Sequence, residues 1–122
     1  MVIAPELGAD VVAGYINTKA GIAQKMILSM IATGLAVRTG RVYSNLRVDL
    51  EAGTTKWVER QIAIVMEAGG CTRAEAKAAL ASCNHNCKTA VLMVLTGLDA
   101  WKAHELLAQN NGFIRVALQE AP

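Results

Sequence analysis

The chain has 122 residues, 53% of them hydrophobic but only 4% aromatic, and a formal net charge of +2. That length makes one domain, or one compact body with a small appendage, and the core must be built from Ala, Val, Ile, Leu and Met, a mixture that favours helix over sheet. Acids and bases are interspersed without runs of like charge, which argues against nucleic acid and anionic membrane as partners.

Val2–Ala4 is a short β-branched run stopped by Pro5, and Val11-Val12 is another; either reads as an edge strand or a leftover strand end. Met1-Val2-Ile3-Ala4 has no basic residue and does not read as a secretory leader. The segment between, Glu6–Tyr15, is a loop containing Gly8 and Gly14. From Asn17 to Thr39 the pattern is helical, and beyond Lys25 it is apolar or small throughout. Its longest apolar run, Met26–Val37, is 12 residues, short of the ~20 needed to span a bilayer. The sequence therefore predicts a buried helix, sandwiched between layers or lying in an oligomer interface. Ser29 and Thr33, four apart and next to Gly34, let another backbone approach closely. Spacing alone favours internal packing over a dimer seam as the source of that stripe.

Arg41–Leu50 has a partial period-two pattern and reads as an extended connector. Gly53-Thr54-Thr55 offers a cap for a helix to Ala68, with Val58, Ile62, Val65 and Met66 at 3.6-residue spacing and Gly69-Gly70 as the stop. Thr72-Arg73-Ala74-Glu75 is a capping box opening a helix to Ser82. Asn86 can cap a helix from Cys87 to Thr96, Asp99 one from Ala100 to Gln109, and a last helix runs from Phe113 to Gln119. The three short helices between Thr72 and Gln109 resemble the compact bundle of ubiquitin-associated-type domains, a likeness of shape that carries no function. The fold class predicted is all-α: a long apolar helix followed by a C-terminal bundle of short helices.

Cys71, Cys83 and Cys87 are an odd number, which argues against a disulfide framework and for a cytoplasmic chain. With His85 they make the inventory of a tetrahedral zinc site, but the spacing is poor and small buried thiols explain them without metal. No metal and no cofactor is expected. His85 and His104 lack triad partners in sequence, and Asp49, Glu51, Glu59 and Glu67 are scattered, with Asp49 expected to cap or to pair with Arg41 or Arg47. No catalytic residue is assigned. The best ligand segment is Gly14–Gly21, where a glycine loop enters a helix start with Asn17 and Thr18 as caps and Lys19 in the first turn. Free amides, the helix dipole and an ammonium suit a phosphate or carboxylate there.

At that segment a resemblance begins. Lys19-Ala-Gly21-x-Ala-Gln24-Lys25, Thr33-Gly34, Gly40-Arg-Val-Tyr43-x-Asn45-Leu-x-Val-Asp49, Glu59-Arg60-Gln61-x-x-Ile64-Val65, Gly70-Cys71, Asn86-Cys87-Lys88-Thr89-Ala90 and Gly112-Phe113-Ile114-Arg115 run in one order. Together, over Ile3 to Leu118, they resemble the C-terminal stretch of the N-acetylmuramic acid 6-phosphate etherase family, relatives of the glucokinase regulatory protein. The resemblance implies a dimeric enzyme that cleaves a D-lactyl ether to N-acetylglucosamine 6-phosphate and D-lactate, with catalytic glutamates upstream of any residue present here. It also implies that residues 1–50 are a remnant of a sugar-isomerase-type α/β domain (extended segment, long helix and connector) and that residues 51–122 form the C-terminal helical bundle. Asn17, Thr18, Lys19 and Gly21 are then the residues expected to meet a sugar phosphate. One departure weakens that site: Ala13-Gly14-Tyr15-Ile16-Asn17-Thr18 stands where the family carries small hydroxyls and an arginine, so anion affinity falls. Two functions follow as expectations: the C-terminal region of an etherase-family enzyme, inactive alone, or a stand-alone non-catalytic helical module that binds itself or another protein. In either case Met26–Val37 is expected to pair with a second copy, giving a homo-oligomer, most simply a dimer.

Overall fold

A computed structural model describes residues 1–14 and 18–122. The described residues are mainly helical, with α1 (Lys19–Arg38), a hairpin of β1 (Val42–Tyr43) and β2 (Leu46–Arg47), then α2 (Thr55–Gly69), α3 (Arg73–Ser82), α4 (Cys87–Thr96), α5 (Ala100–Gln109) and α6 (Ile114–Glu120). They divide into two compact units, Met1–Leu35 and Ala36–Pro122.

In the first unit the two β-branched runs are not strands. Val2 is 90% exposed and Val11 95%, and neither run has a hydrogen-bonded neighbour, without which an extended segment gains no ladder to offset its ordering. Ile3, Pro5 and Leu7 instead border a hollow of ≈ 300 Å³ with Ala20, Ala23 and Ile27 of α1. No residue of α1 is buried. Ile22, Met26, Leu28, Met30, Ile31, Leu35 and Val37 are each more than half exposed. The buried helix expected from sequence is thus exposed among the described residues, its apolar residues surrounding the axis and none of them buried. The whole helix is 20 residues long, so by length and composition alone it could cross a membrane. The same composition belongs to a core helix enclosed on all sides.

The second unit begins inside the last turn of α1. The Arg41 amide donates to the Ala36 carbonyl at 2.9 Å, and Gly40, at φ +68°, closes the helix just after Thr39, where the helical pattern of the sequence ends. A side chain at Gly40 would also meet the Gly112 carbonyl oxygen at 3.0 Å, so this position is fixed both by its φ and by close backbone approach. The expected extended connector is a tight antiparallel hairpin, with Val42 opposite Arg47 and Tyr43 opposite Leu46. Beyond it, Val48 and Leu50 turn inward and are buried.

The bundle is organised by α4. Cys87, Thr89, Ala90, Val91 and Leu92 are all buried, and α4 packs against α2, α3, α5 and α6. Its start is held by Asn86, whose Oδ1 accepts from both the Thr89 amide and the Thr89 hydroxyl at 3.0 Å. Gly97, at φ +75°, closes it. The capping box of α3 forms as read: the Glu75 amide donates to Thr72 Oγ1 at 3.3 Å, and the Thr72 amide donates to Glu75 Oε2 at 2.7 Å. Asp99 accepts from the Lys102 amide to cap α5. Thr54 stands at the N-cap of α2 but makes no side-chain capping bond. At the far end Asn110, 7% exposed, donates to the Leu106 carbonyl and to Glu120 Oε2, tying α6 to the end of α5. Small residues let these short helices close: Ala76, Ala90, Ala103 and Ala117 are each fully buried at the contacts.

Gly69, the last residue of α2, is a test of that packing. An added Cβ would lie 2.5 Å from Val94 Cγ1 and 3.1 Å from Val94 Cβ. Valine is stiff at χ1 and cannot swing away. Gly69→Ala, which in an exposed helix gains stability, should here cost about 1–3 kcal/mol by overpacking. A raised or unchanged midpoint in thermal denaturation followed by circular dichroism would show that α2 and α4 are less closely packed than described.

Candidate functional site

Of the residues expected to meet a sugar phosphate, Asn17 lies outside the described residues. Thr18, Lys19 and Gly21 are brought together at the start of α1. The Thr18 hydroxyl oxygen accepts from the Gly21 amide at 3.2 Å, which makes Thr18 the cap. The Lys19 amide donates to Asp10 Oδ1 at 2.8 Å, and the Lys19 ammonium donates to the Ala9 carbonyl at 2.8 Å. The place that an anionic ligand would take at this helix end is therefore held by the carboxylate of Asp10. A carboxylate there is stabilised by the same free amides and dipole that the sequence reading offered to phosphate.

A second constellation lies in the bundle, around Asp49. Its carboxylate receives Arg47 Nε at 2.6 Å and has Arg41 Nε at 3.8 Å, so the pairing expected from sequence forms with both arginines. The hydrogen bond from Arg47 holds the Asp49 carboxyl below the usual range, against a smaller opposing effect of burial, and raises Arg47 in turn. Lys88, in the first turn of α4, is half-buried and donates to the Gly112 carbonyl at 3.0 Å. Burial draws its pKa below the ordinary lysine value, while the nearby Asp49 pulls the other way.

Two hollows adjoin here and share Asp49, Leu50, Glu51 and Lys88. One, of ≈ 820 Å³, is bordered also by Arg41, Arg47 and Trp57. The other, of ≈ 760 Å³, reaches the turn between α3 and α4 and His104 on α5. In that turn Asn84 and His85 both have left-handed backbones, at φ 53° and 57°. Gln61, fully buried on α2, holds the turn by donating from Nε2 to the Leu50 carbonyl at 2.7 Å and to the His85 carbonyl at 2.8 Å. Both partners are acceptors, which fixes the orientation of the amide and leaves Gln61 Oε1 unpaired in the interior. His85 Nδ1 is enclosed and unpaired as well.

The cysteines are dispersed in role. Cys87 is buried, and burial pushes its thiol up to about 12, with a smaller contribution from Cys83. Cys83 donates to the carbonyls of Leu80 and Asn86, and Cys71 to that of Val65. Burial raises both of these thiols too, so none of the three is primed as a nucleophile. Reading the sequence segment by segment missed the grouping of Arg41, Asp49, Trp57 and Lys88. The available signal was local: three of these residues, Arg41, Asp49 and Lys88, fall within the stretches that carry the family resemblance.

No family model matches the chain. Curated proteins do. The chain is 55% identical over 116 residues to the N-acetylmuramic acid 6-phosphate etherase of Klebsiella aerogenes, covering 95% of this chain and 39% of that protein. It is 54% identical over 116 residues to the protein of the same name in Aliivibrio fischeri strain MJ11, with the same coverage. It is 48% identical over 120 residues to N-acetylmuramic acid 6-phosphate etherase 1 of Vibrio cholerae, covering 98% and 40%. Over nearly all of its length the chain is similar to N-acetylmuramic acid 6-phosphate etherases. It spans about 39% of the length of these relatives and resembles their C-terminal part. The etherase resemblance read from ordered short motifs is thereby supported over nearly the whole chain, including the stretches that carry Asp49 and Lys88.

The Asp49–Arg47 pair has a defined pH signature. The Asp49 pKa is lowered on folding, so its contribution is present above the unfolded carboxyl value of about 4 and is lost as pH falls through the lower folded value. Arg47 is 63% exposed, which limits the contribution to about 1 kcal/mol or less. Urea denaturation of the parent and Asp49→Asn should differ at pH 7 and converge below pH 3. A gap that persists at low pH would mean that Asp49 acts through packing and not charge.

Proposed function

We propose that this chain is the helical C-terminal portion of an N-acetylmuramic acid 6-phosphate etherase, a carbon–oxygen lyase of cytoplasmic cell-wall amino-sugar recycling, and that by itself it does not turn over substrate. The observation that carries this reading is the combination of 95% coverage of the chain with 39% coverage of the relative at 55% identity. A portion so closely related retains the fold of its part, while the glutamates that the resemblance assigns to elimination and water addition belong to the remainder. The geometry agrees: the thiols have raised pKa values, and Thr18 and Lys19 are occupied with backbone and Asp10.

A second reading, a self-associating module without catalysis, is favoured by α1. Seven large apolar residues of that helix are more than half exposed, among them Met26, Leu28, Met30 and Ile31. Covering one stripe of them against a second copy removes apolar surface from water at roughly 25 cal/mol per Å². On this reading the isolated chain is a dimer or larger assembly through Met26–Val37.

Two measurements separate and test these readings. Incubation with N-acetylmuramic acid 6-phosphate should release no D-lactate, and turnover above the protein-free control would overturn the first reading. Light scattering at micromolar concentration should give at least twice the mass of 12.9 kDa for the parent. Leu28→Glu combined with Ile31→Glu should return it to the monomer mass. A parent that is already monomeric refutes the second reading.

A further inference from the structure

We propose that the hollow bordered by Arg41, Trp57 and Lys88 binds a phosphorylated sugar, the phosphate on Arg41 and Lys88 and an apolar face of the sugar ring on Trp57. This rests on the etherase reading, whose relatives carry a sugar phosphate in their name, and it assigns a contact with such a ligand to the helical part of the chain.

The argument starts from donors that remain available. The Lys88 ammonium has three N–H groups and spends one on the Gly112 carbonyl. Arg41 Nε lies 3.8 Å from Asp49 Oδ2, beyond hydrogen-bond distance, and its side chain is 53% exposed. Asp49 is engaged more closely by Arg47, at 2.6 Å, than by Arg41, at 3.8 Å. Two cations on one hollow, with the intervening carboxylate already paired, make a site for a compact anion.

The rest of the lining adds a second half. Trp57, in the first turn of α2, is 43% exposed and borders the hollow with a large, mostly apolar side chain. Glu51 also borders the hollow, with a carboxylate that can accept from sugar hydroxyls. Acids beside bases would repel a polyanion such as nucleic acid, whereas a ligand with one anionic group and several hydroxyls meets both kinds of lining. At ≈ 820 Å³ the hollow has room for a monosaccharide phosphate.

The chain contains its own reporter. It has two tryptophans, so Trp101→Phe leaves Trp57 as the sole indole. In that background, titration with N-acetylglucosamine 6-phosphate should change Trp57 emission saturably, with half-saturation at least tenfold below that for inorganic phosphate or for N-acetylglucosamine. Adding Arg41→Met or Lys88→Met should weaken the response tenfold or more. Lys88→Met also removes the bond to Gly112, so Arg41→Met, at an exposed position, decides if the other variant melts early. The proposal is overturned if inorganic phosphate matches the sugar phosphate, if Arg41→Met titrates like its parent, or if neither Trp57 emission nor the amide NMR signals of residues 39–57 move. The D-lactate assay is independent of all three outcomes, so a failure here leaves the etherase reading to its own test.

Discussion

Burial of one short helix on nearly all sides is the constraint on which the larger unit depends. Five of the ten residues of α4 are buried, and four other helices pack on it. A helix of that length is marginal alone in water, and its stability comes from the surface it shares. Its capping follows from this. Thr89 is 2% exposed, so its hydroxyl must find a partner, and Asn86 Oδ1 receives both that hydroxyl and the amide above it. One side chain thereby ends the turn, starts the helix and satisfies a buried polar group. The geometry of the α3–α4 turn follows in part from the same demand, because Gln61 reaches from α2 to hold the His85 carbonyl in place.

Most of this bundle was legible in the sequence because its punctuation is chemical. Thr72 with Glu75, Asn86 and Asp99 each mark a helix start by a side-chain bond, and all of them sit where they were read. The misreadings fall where local chemistry is silent. Arg41–Leu50 has no glycine or proline at its turn; the left-handed residue is Ser44, at φ 55°, so a hairpin looked like a connector. Val2–Ala4 and Val11-Val12 have the residue types of strands, but a strand requires a neighbour that propensity cannot supply. Lys88 was legible only as a member of a motif; its nearness to Asp49 is produced by packing between segments about forty residues apart in sequence.

The first unit obeys the opposite condition. Its helix has the composition of a core element and the exposure of a surface one. Apolarity on every side cannot be relieved by a single flat contact, because one partner covers one stripe and leaves the rest in water. Relatives of which the chain covers 39% contain much more polypeptide than is present here, so the sequence of α1 is consistent with a larger context than this chain provides. The self-association proposed above is one substitute open to the isolated chain.

Comparing the two candidate anion positions decides where a phosphate would go. At the start of α1 the amide of Lys19 is bonded to Asp10 and the Gly21 amide to Thr18, so both of these backbone donors are already used, and the ammonium spends one of its three N–H groups on Ala9. An incoming phosphate would have to displace a carboxylate tied to the chain nine residues away, whose effective concentration is high. In the bundle the carboxylate that could compete, Asp49, is drawn most closely to Arg47, and Arg41 and Lys88 both border an open hollow. The segment with the stronger motif is thus the one whose chemistry is internally satisfied. A ligand would find its unsatisfied donors on the residues that only folding brings together.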